Sequence, residues 1–309
     1  MEADDGYTQR RHFVLKGHLP LMLMEEPKSV LVVGLGMGIT LRATANHPGL
    51  NRIDVIELSP EILEAHQVLG SINGDVVNEP IVNVRIDDGR SYMKLADRRY
   101  DMITADPIHP KISRVGYLYT REYYESVRDR LAPGGVICQW MPIYQISPTR
   151  LRSAMKSFAE VFDSATFWYV KNHGLFVARY GDATIDYETL ARRFNDPAVR
   201  DDLASIDIES PEHLLSHLLM GPEEIRAYTN AEPNIPTNTD DYPYLEYYVP
   251  GDLFYTPRDN VKQLVQYLTD PTRYVRNLPP ESVERVRQLS EGRMERLLGE
   301  LEKSSAATD

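Results

Sequence analysis

A single cysteine, Cys138, among 309 residues excludes an intrachain disulfide and a cysteine-built zinc cluster. It lies in an apolar stretch and reads as a core residue. Long hydrophobic runs are also missing. None reaches the roughly 18 residues of a membrane span, and Met1 to Arg10 is too polar for a signal peptide. A cytoplasmic location without membrane contact is expected. Basic residues are in deficit, 34 Lys and Arg against 46 Asp and Glu, for a net charge of −12. That argues against a nucleic-acid partner, whose phosphates call for positive surface. No Gly-x-Ser-x-Gly elbow is present, which disfavours a serine hydrolase. His213 and His217 have a zinc-like i, i+4 spacing, but Leu214-Leu215-Ser216 stands between them with no adjacent glutamate or evident third ligand. No metal is expected.

What is present centres on Ser29-Val30-Leu31-Val32-Val33-Gly34-Leu35-Gly36-Met37-Gly38. The unbroken β-branched run predicts a strand buried on both faces. Gly34, Gly36 and Gly38 predict a tight turn in which backbone approaches a ligand. From Ile39 the pattern turns helical, so the turn feeds a helix N-terminus whose N–H groups face that ligand. A second apolar strand, Ile53 to Ile56, ends at Glu57, whose carboxylate can accept both hydroxyls of a ribose. The dinucleotide fingerprint needs a third glycine where Ile39 stands, so S-adenosylmethionine-type nucleosides suit the turn better than NAD.

Further strands are expected at 82–86, 100–105, 136–140, 165–170 and 175–179, the last two as an antiparallel pair around Asn172-His173-Gly174. Helices are expected at 60–69, at 121–131 behind a Thr120 cap, and after Ser147-Pro148. The fold class is therefore α/β: a doubly wound, Rossmann-like, seven-stranded parallel sheet with one reversed edge strand. Residues 1–182 form this nucleoside-binding domain, and 183–309 a mostly helical extension. Within the extension, 231–250 reads as an ordered Tyr-rich loop plus a short strand, 261–268 and 281–301 as amphipathic helices. The apolar stripe over 283–301 favours a homodimer.

Four acids fall at strand ends, where an open parallel sheet binds ligands: Glu57, Asp87, Asp88 and Asp106. Glu57 is assigned to ribose, and Asp88, with Asp87 beside it, to an adenine amino group. Asp87-Asp88-Gly89 is also the composition of an ordinary helix cap. Asp106, stiffened by Pro107 and Pro110, is the catalytic candidate. A protonated amine must lose its proton before it attacks carbon beside a sulfonium, and a carboxylate can take that proton or orient the amine. His109 can share the task. Asp240 and Tyr242, in the Tyr-rich loop, are expected to contact the small-molecule nucleophile, an amine.

With these residues in place, the chain resembles the spermidine synthase (polyamine aminopropyltransferase) family, and within it the bacterial branch often fused to membrane segments. The matching pieces are Val30–Gly38, Val55-Ile56-Glu57, Asp88-Gly89, Tyr100-Asp101 through Asp106, Leu118-Tyr119-Thr120-Arg121-Glu122-Tyr123-Tyr124, and Leu131-Ala132-Pro133-Gly134-Gly135-Val136 to Gln139. Asn238-Thr239-Asp240-Asp241-Tyr242-Pro243 with Leu245-Glu246 matches a C-terminal stretch of that branch. The resemblance implies a fold of the S-adenosylmethionine-dependent transferase type and a co-substrate that is S-adenosylmethionine or its decarboxylated form. It implies Glu57 on ribose, Asp88 on adenine, Asp106 as catalytic aspartate, and His12, Tyr117, Tyr119 and Gln139 on the substrate side. The sequence departs from the family at an aspartate in the glycine turn, where Met37 stands, and at a second acidic position of the catalytic loop, where His109 stands. Aminopropyl-type transfer to an amine is the implied reaction. Methyl transfer and a catalytically silent nucleoside-binding module stay open as alternatives.

Overall fold

The computed structural model describes residues 7–105, 107, 109–247 and 249–305. The catalytic candidate Asp106 therefore lies outside the described residues. Helix α1 (Tyr7–Met22) precedes β1 (Ser29–Val33), α2 (Ile39–Ala45), β2 (Arg52–Glu57), α3 (Pro60–Asn73), β3 (Val82–Ile86), α4 (Gly89–Leu95), β4 (Tyr100–Ala105), α5 (Arg121–Arg130), β5 (Leu131–Pro142) and α6 (Pro148–Ala159). Strands β6 (Thr166–Val170) and β7 (His173–Arg179) follow, then β8 (Ile185–Asp186), α7 (Tyr187–Phe194), α8 (Pro197–Ala204), α9 (Pro211–Leu215), β9 (Leu218–Met220), α10 (Pro222–Asn230), α11 (Pro257–Leu264), β10 (Val275–Arg276) and α12 (Pro280–Ser305).

The main sheet has eight strands, ordered β3-β2-β1-β4-β5-β7-β6-β9, one more than the sequence suggests. The additional strand is β9, three residues whose Leu-Leu-Met gives no periodicity to read. It pairs antiparallel with β6. Strands β1 to β5 are mutually parallel. Two strands are reversed: β7, which lies between β5 and β6 because the β6–β7 hairpin folds its second strand inward, and β9 at the edge. Strand β8 pairs with β10 in a separate two-stranded sheet.

Alternation along β1 divides the core. Leu31 and Val33 join a cluster that includes Tyr123, Tyr124, Phe158 and Phe176. Val30 and Val32 join the cluster on the other face, with Leu15, Leu19, Trp168 and Phe194. Cys138 is buried among the latter. Helix α1 covers the turn-bearing helix α2 closely: a Cβ on Gly17 would lie 2.7 Å from both Ala43 Cβ and the Thr40 carbonyl. Asp202 of α8 ties the pair down, accepting from His18 at 2.9 Å and Arg42 at 2.7 Å.

The segment 231–250 contains no strand among its described residues. It is an ordered strap of turns, and its backbone groups are met by side chains of other elements instead of a ladder partner. The apolar stripe of α12 is largely spent within the chain: Val286 is buried in one core cluster, and Met294 and Leu297 pack against the other. Leu298 stays partly exposed. No helix among the described residues is long and apolar enough to cross a membrane.

Candidate active site

Three left-handed glycines follow β1, at φ 93° (Gly34), 50° (Gly36) and 75° (Gly38). At Gly36 the conformation alone requires glycine, since a Cβ would meet nothing within 4 Å. At Gly38 packing adds to it: a Cβ would sit 2.7 Å from His66 Cε1. The turn is braced from α3. Asn73 Nδ2 donates to the Met37 carbonyl at 3.2 Å and lies 2.8 Å from His66 Nδ1. His66 Nε2 is 2.9 Å from the Gly36 carbonyl. With Asn73 donating, Nδ1 accepts and Nε2 carries the proton. Helix α2 begins at once, with Gly38 at its N-cap and no side chain capping it, so its first N–H groups stay open. Met37 is half exposed on the turn.

Glu57 closes β2 as a buried carboxylate. Its Oε2 accepts from Leu35 N, within the turn, at 2.8 Å, and Oε1 accepts from Ser59 N at 2.9 Å. Two backbone donors thus aim the group, while each oxygen keeps lone-pair capacity for a hydroxyl. Asp87 N donates to the Glu57 carbonyl at 3.0 Å, which places the third strand end beside it. Asp87 pairs with Arg85 at 2.7 Å and accepts from Asp88 N. Asp88 caps α4, accepting from Ser91 N at 2.8 Å. Helix α4 starts hard against β1, for a Cβ on Gly89 would come 2.5 Å from Val33 Cγ1. Gly34, Gly36, Gly38, Glu57, Asp87 and Asp88 therefore share the carboxyl edge of β1 to β3, and His66 and Asn73 are the supports that the sequence pattern does not reveal.

Beyond β4 the chain enters a loop that ends at α5. His109 in this loop is buried; Lys111 N donates to its Nδ1 at 3.1 Å, and Nε2 lies 2.9 Å from the Tyr144 carbonyl. The ring is a neutral Nε2–H tautomer whose basic nitrogen already accepts a bond. Burial, reinforced by Lys111, lowers its pKa to about 4 against the pull of the Tyr144 carbonyl. Through both ring nitrogens His109 braces the loop. Around it lie aromatic rings. Trp140 and Tyr144 are 6.4 and 5.5 Å from its centroid. His12 stacks on His173 at 4.0 Å, and Trp140 Nε1 donates to His173 Nδ1 at 3.0 Å. Burial first, then His173 and Lys16, holds His12 well below the ordinary histidine range, and burial with Lys16 brings His173 to about 4. This wall is uncharged at its histidines near neutral pH.

Tyr119 is fully buried and donates to the Trp140 carbonyl at 3.0 Å, supporting the wall from behind. Gln139, paired in register with Ala105, donates to the Leu118 carbonyl at 2.8 Å, and its Oε1 has no partner among the described residues. Tyr117 gives its carbonyl to Arg90 at 2.6 Å, with the guanidinium 5.6 Å over its ring. Asp240 is engaged by two side chains. It binds Arg90 at 2.6 Å and Thr120 at 2.8 Å, and these bonds hold its pKa below the carboxylate range despite the cost of burial. Tyr242 is exposed, its ring stacked 6.2 Å from Tyr244. A cleft of about 410 Å³ lined by Lys28, Gly49 and Arg193 opens at the amino ends of β1 and β2, opposite the glycine turn, and is separate from this site. His213 and His217 lie 5.5 Å apart, His217 buried and directed at the His213 carbonyl.

Residues 14–173 match the family described as the spermine/spermidine synthase domain. The chain belongs to this family. Putrescine N-methyltransferase 2 of Nicotiana attenuata is 33% identical over 122 residues, covering 39% of this chain and 33% of that protein. Spermidine synthase 2 of Arabidopsis thaliana is 34% identical over 122 residues, covering 39% and 36%. The chain thus spans about a third of the length of the curated relatives it matches. Among solved structures, a spermidine synthase in complex with the transition-state analogue AdoDATO aligns with a TM-score of 0.54 at 23% identity over 65% of this chain and 73% of that one. A probable spermidine synthase from Corynebacterium glutamicum ATCC 13032 aligns with 0.54 at 16% identity over 77% and 81%. These two likenesses show the fold.

Proposed function

We propose that the protein transfers an alkyl group, of aminopropyl type, from S-adenosylmethionine or its decarboxylated form to a small amine. The observation that carries this reading is Glu57, a buried carboxylate aimed by Leu35 N and Ser59 N beside an open glycine turn. That is the geometry a ribose diol needs. Asp87 and Asp88 continue the nucleoside side, and Asp106, directly after β4, is the base or orienter of the amine. The neutral stack of His12, His173 and Trp140 can receive an ammonium-bearing chain without electrostatic repulsion from its rings. A chain that attacks carbon beside a sulfonium expels a neutral thioether, so the site must remove only one proton per turnover. The reading includes a cytoplasmic homodimer.

Methyl transfer is the second reading, and Met37 favours it. A half-exposed thioether side chain on the glycine turn offers no charge to an aminopropyl ammonium. The two part on their product. Calorimetric titration with S-adenosylmethionine, its decarboxylated form, methylthioadenosine and NAD identifies the donor, and turnover with putrescine identifies the group transferred. Release of methylthioadenosine supports the first reading, release of S-adenosylhomocysteine the second. In either case Asp106→Asn is expected to lose at least about a hundredfold in turnover while keeping nucleoside affinity. Nucleoside binding without turnover leaves the silent module, and binding of no adenine nucleoside overturns all three readings and leaves a scaffold that keeps the fold without its ligand.

A further inference from the structure

The Asn238–Glu246 stretch is conspicuous in the sequence, and its Asp240 is bonded to Arg90 and Thr120. Several of its contacts run to residues 113–121, between β4 and α5. Glu246 Oε1 accepts from Arg114 N at 2.5 Å and from Ser113 Oγ at 3.0 Å. Arg114 stands at φ 71°, a left-handed conformation that a side chain disfavours and that persists only where neighbours enforce it. Two residues on, Gly116 presses on the strap so closely that a Cβ would lie 2.8 Å from Glu246 N. Asn238, fully buried, donates to the Gly116 carbonyl at 3.1 Å and accepts from Leu245 N at 3.0 Å, tying the strap's two ends across the loop. At the far end Asp240 takes Thr120 and Arg90, and the Asn238 carbonyl takes Arg121 N at 2.9 Å. The strap is anchored in turn by Arg150 of α6, which donates to the Tyr244 and Tyr247 carbonyls and pairs with Asp252 at 2.7 Å.

We propose that the strap is a clamp on the amine-side loop and that Glu246 is its positioning residue. By holding the left-handed turn at Arg114, its carboxylate sets where the loop presents its amine-side face, while Arg90 and Asp240 tie the same loop to α4 on the nucleoside side. The inference rests on the proposed function only in taking this loop as the amine side; the clamp itself rests on the bonds above.

The full chain carrying Glu246→Ala, Glu246→Gln, Gly116→Ala or, as control, Asp241→Asn tests it. Hydrogen exchange of peptides covering 109–119 is read against 30–57, alongside affinity for methylthioadenosine and steady-state kinetics with putrescine. E246A is expected to speed exchange over 109–119 about tenfold, leave 30–57 and nucleoside affinity within about twofold, and raise the putrescine KM more than it lowers kcat. E246Q keeps an acceptor oxygen and is expected to restore wild-type behaviour, as is D241N. G116A, which drives the strap off, is expected to reproduce E246A. Unchanged exchange in E246A and G116A, or E246A and E246Q equally impaired with a general loss of stability, overturns the clamp. Wild-type protein that does not turn putrescine over counts against the proposed function, while exchange still decides the clamp.

Discussion

Glu57 shows how much a single residue depends on its backbone surroundings. Its two oxygens are held by N–H groups from two different turns, Leu35 before α2 and Ser59 before α3. Replacing it by glutamine keeps size and burial but turns one oxygen into an amide that faces a donor. One backbone N–H then loses its partner, and the ribose loses a charged acceptor. Hydrogen bonds to charged groups are worth about 1.5–3 kcal/mol, so Glu57→Gln is expected to weaken nucleoside binding by about 2 kcal/mol, roughly thirtyfold. Titration with methylthioadenosine checks this; affinity within threefold of wild type would remove Glu57 from the ribose site. The place of Glu57 was legible because an acid that closes the strand after a glycine turn falls at the carboxyl edge of this topology. His66 and Asn73 were not, because they meet the turn across 30 and 36 residues and only the rotation of α3 decides which face they present. The bond of Asp240 to Arg90 was equally hidden, since it joins residues 150 apart and leaves no local trace in the sequence.

Elements divide in the same way. Strands β1, β2 and β4 are readable because largely apolar runs bounded by glycine or acids fit a buried parallel strand, and the edge strand β3 because its valines alternate with polar residues. Strand β9 and the strap take their form from their neighbours, which no local pattern records. Helix α8 belongs with them, since its importance lies in one contact. Asp202, nearly buried, joins His18 of α1 and Arg42 of α2, and His18 Nδ1 in turn meets His47 Nε2 at 2.8 Å. The helix that starts at the glycine turn is therefore fastened from residue 202. Asp202→Asn leaves the Arg42 guanidinium without its carboxylate and the His18 ring without its ionic partner. Breaking a buried pair from one side costs about 3–5 kcal/mol, and a loss in the lower half of that range is expected here because Arg42 keeps contact with water. Urea unfolding measures it, and a change below 1 kcal/mol would show that α8 merely lies against α1.

At the scale of the whole molecule, burial has removed charge from most of its histidines. In an unfolded chain a histidine titrates near 6.5. Six of the eight here, His12, His47, His109, His173, His213 and His217, are held lower, with burial the largest cause in each. Well above pH 6.5, toward pH 8, both states leave these rings neutral, and they confer little pH dependence. As pH falls below 6.5 the unfolded chain takes up protons that the folded chain refuses, so stability declines until the folded values are reached. For His109 and His173, at about 4, the decline amounts to about 3 kcal/mol each by the bottom of that window. The carboxylates Asp202 and Asp240, held below their ordinary range by His18 and by Arg90 with Thr120 against the cost of burial, act in the same direction but at lower pH, as they protonate. Acid unfolding is thus expected to begin with the histidines. Free energies of unfolding in urea should be nearly level above about pH 7.5 and fall from pH 6.5 to 5, at pH 5.5 more steeply than the 1.4 kcal/mol per pH unit of a single proton. A level profile between pH 6.5 and 5 would mean that these rings admit protons while folded. The uncharged wall of His12 and His173 would then carry positive charge in mild acid, and it would repel the ammonium it is proposed to receive.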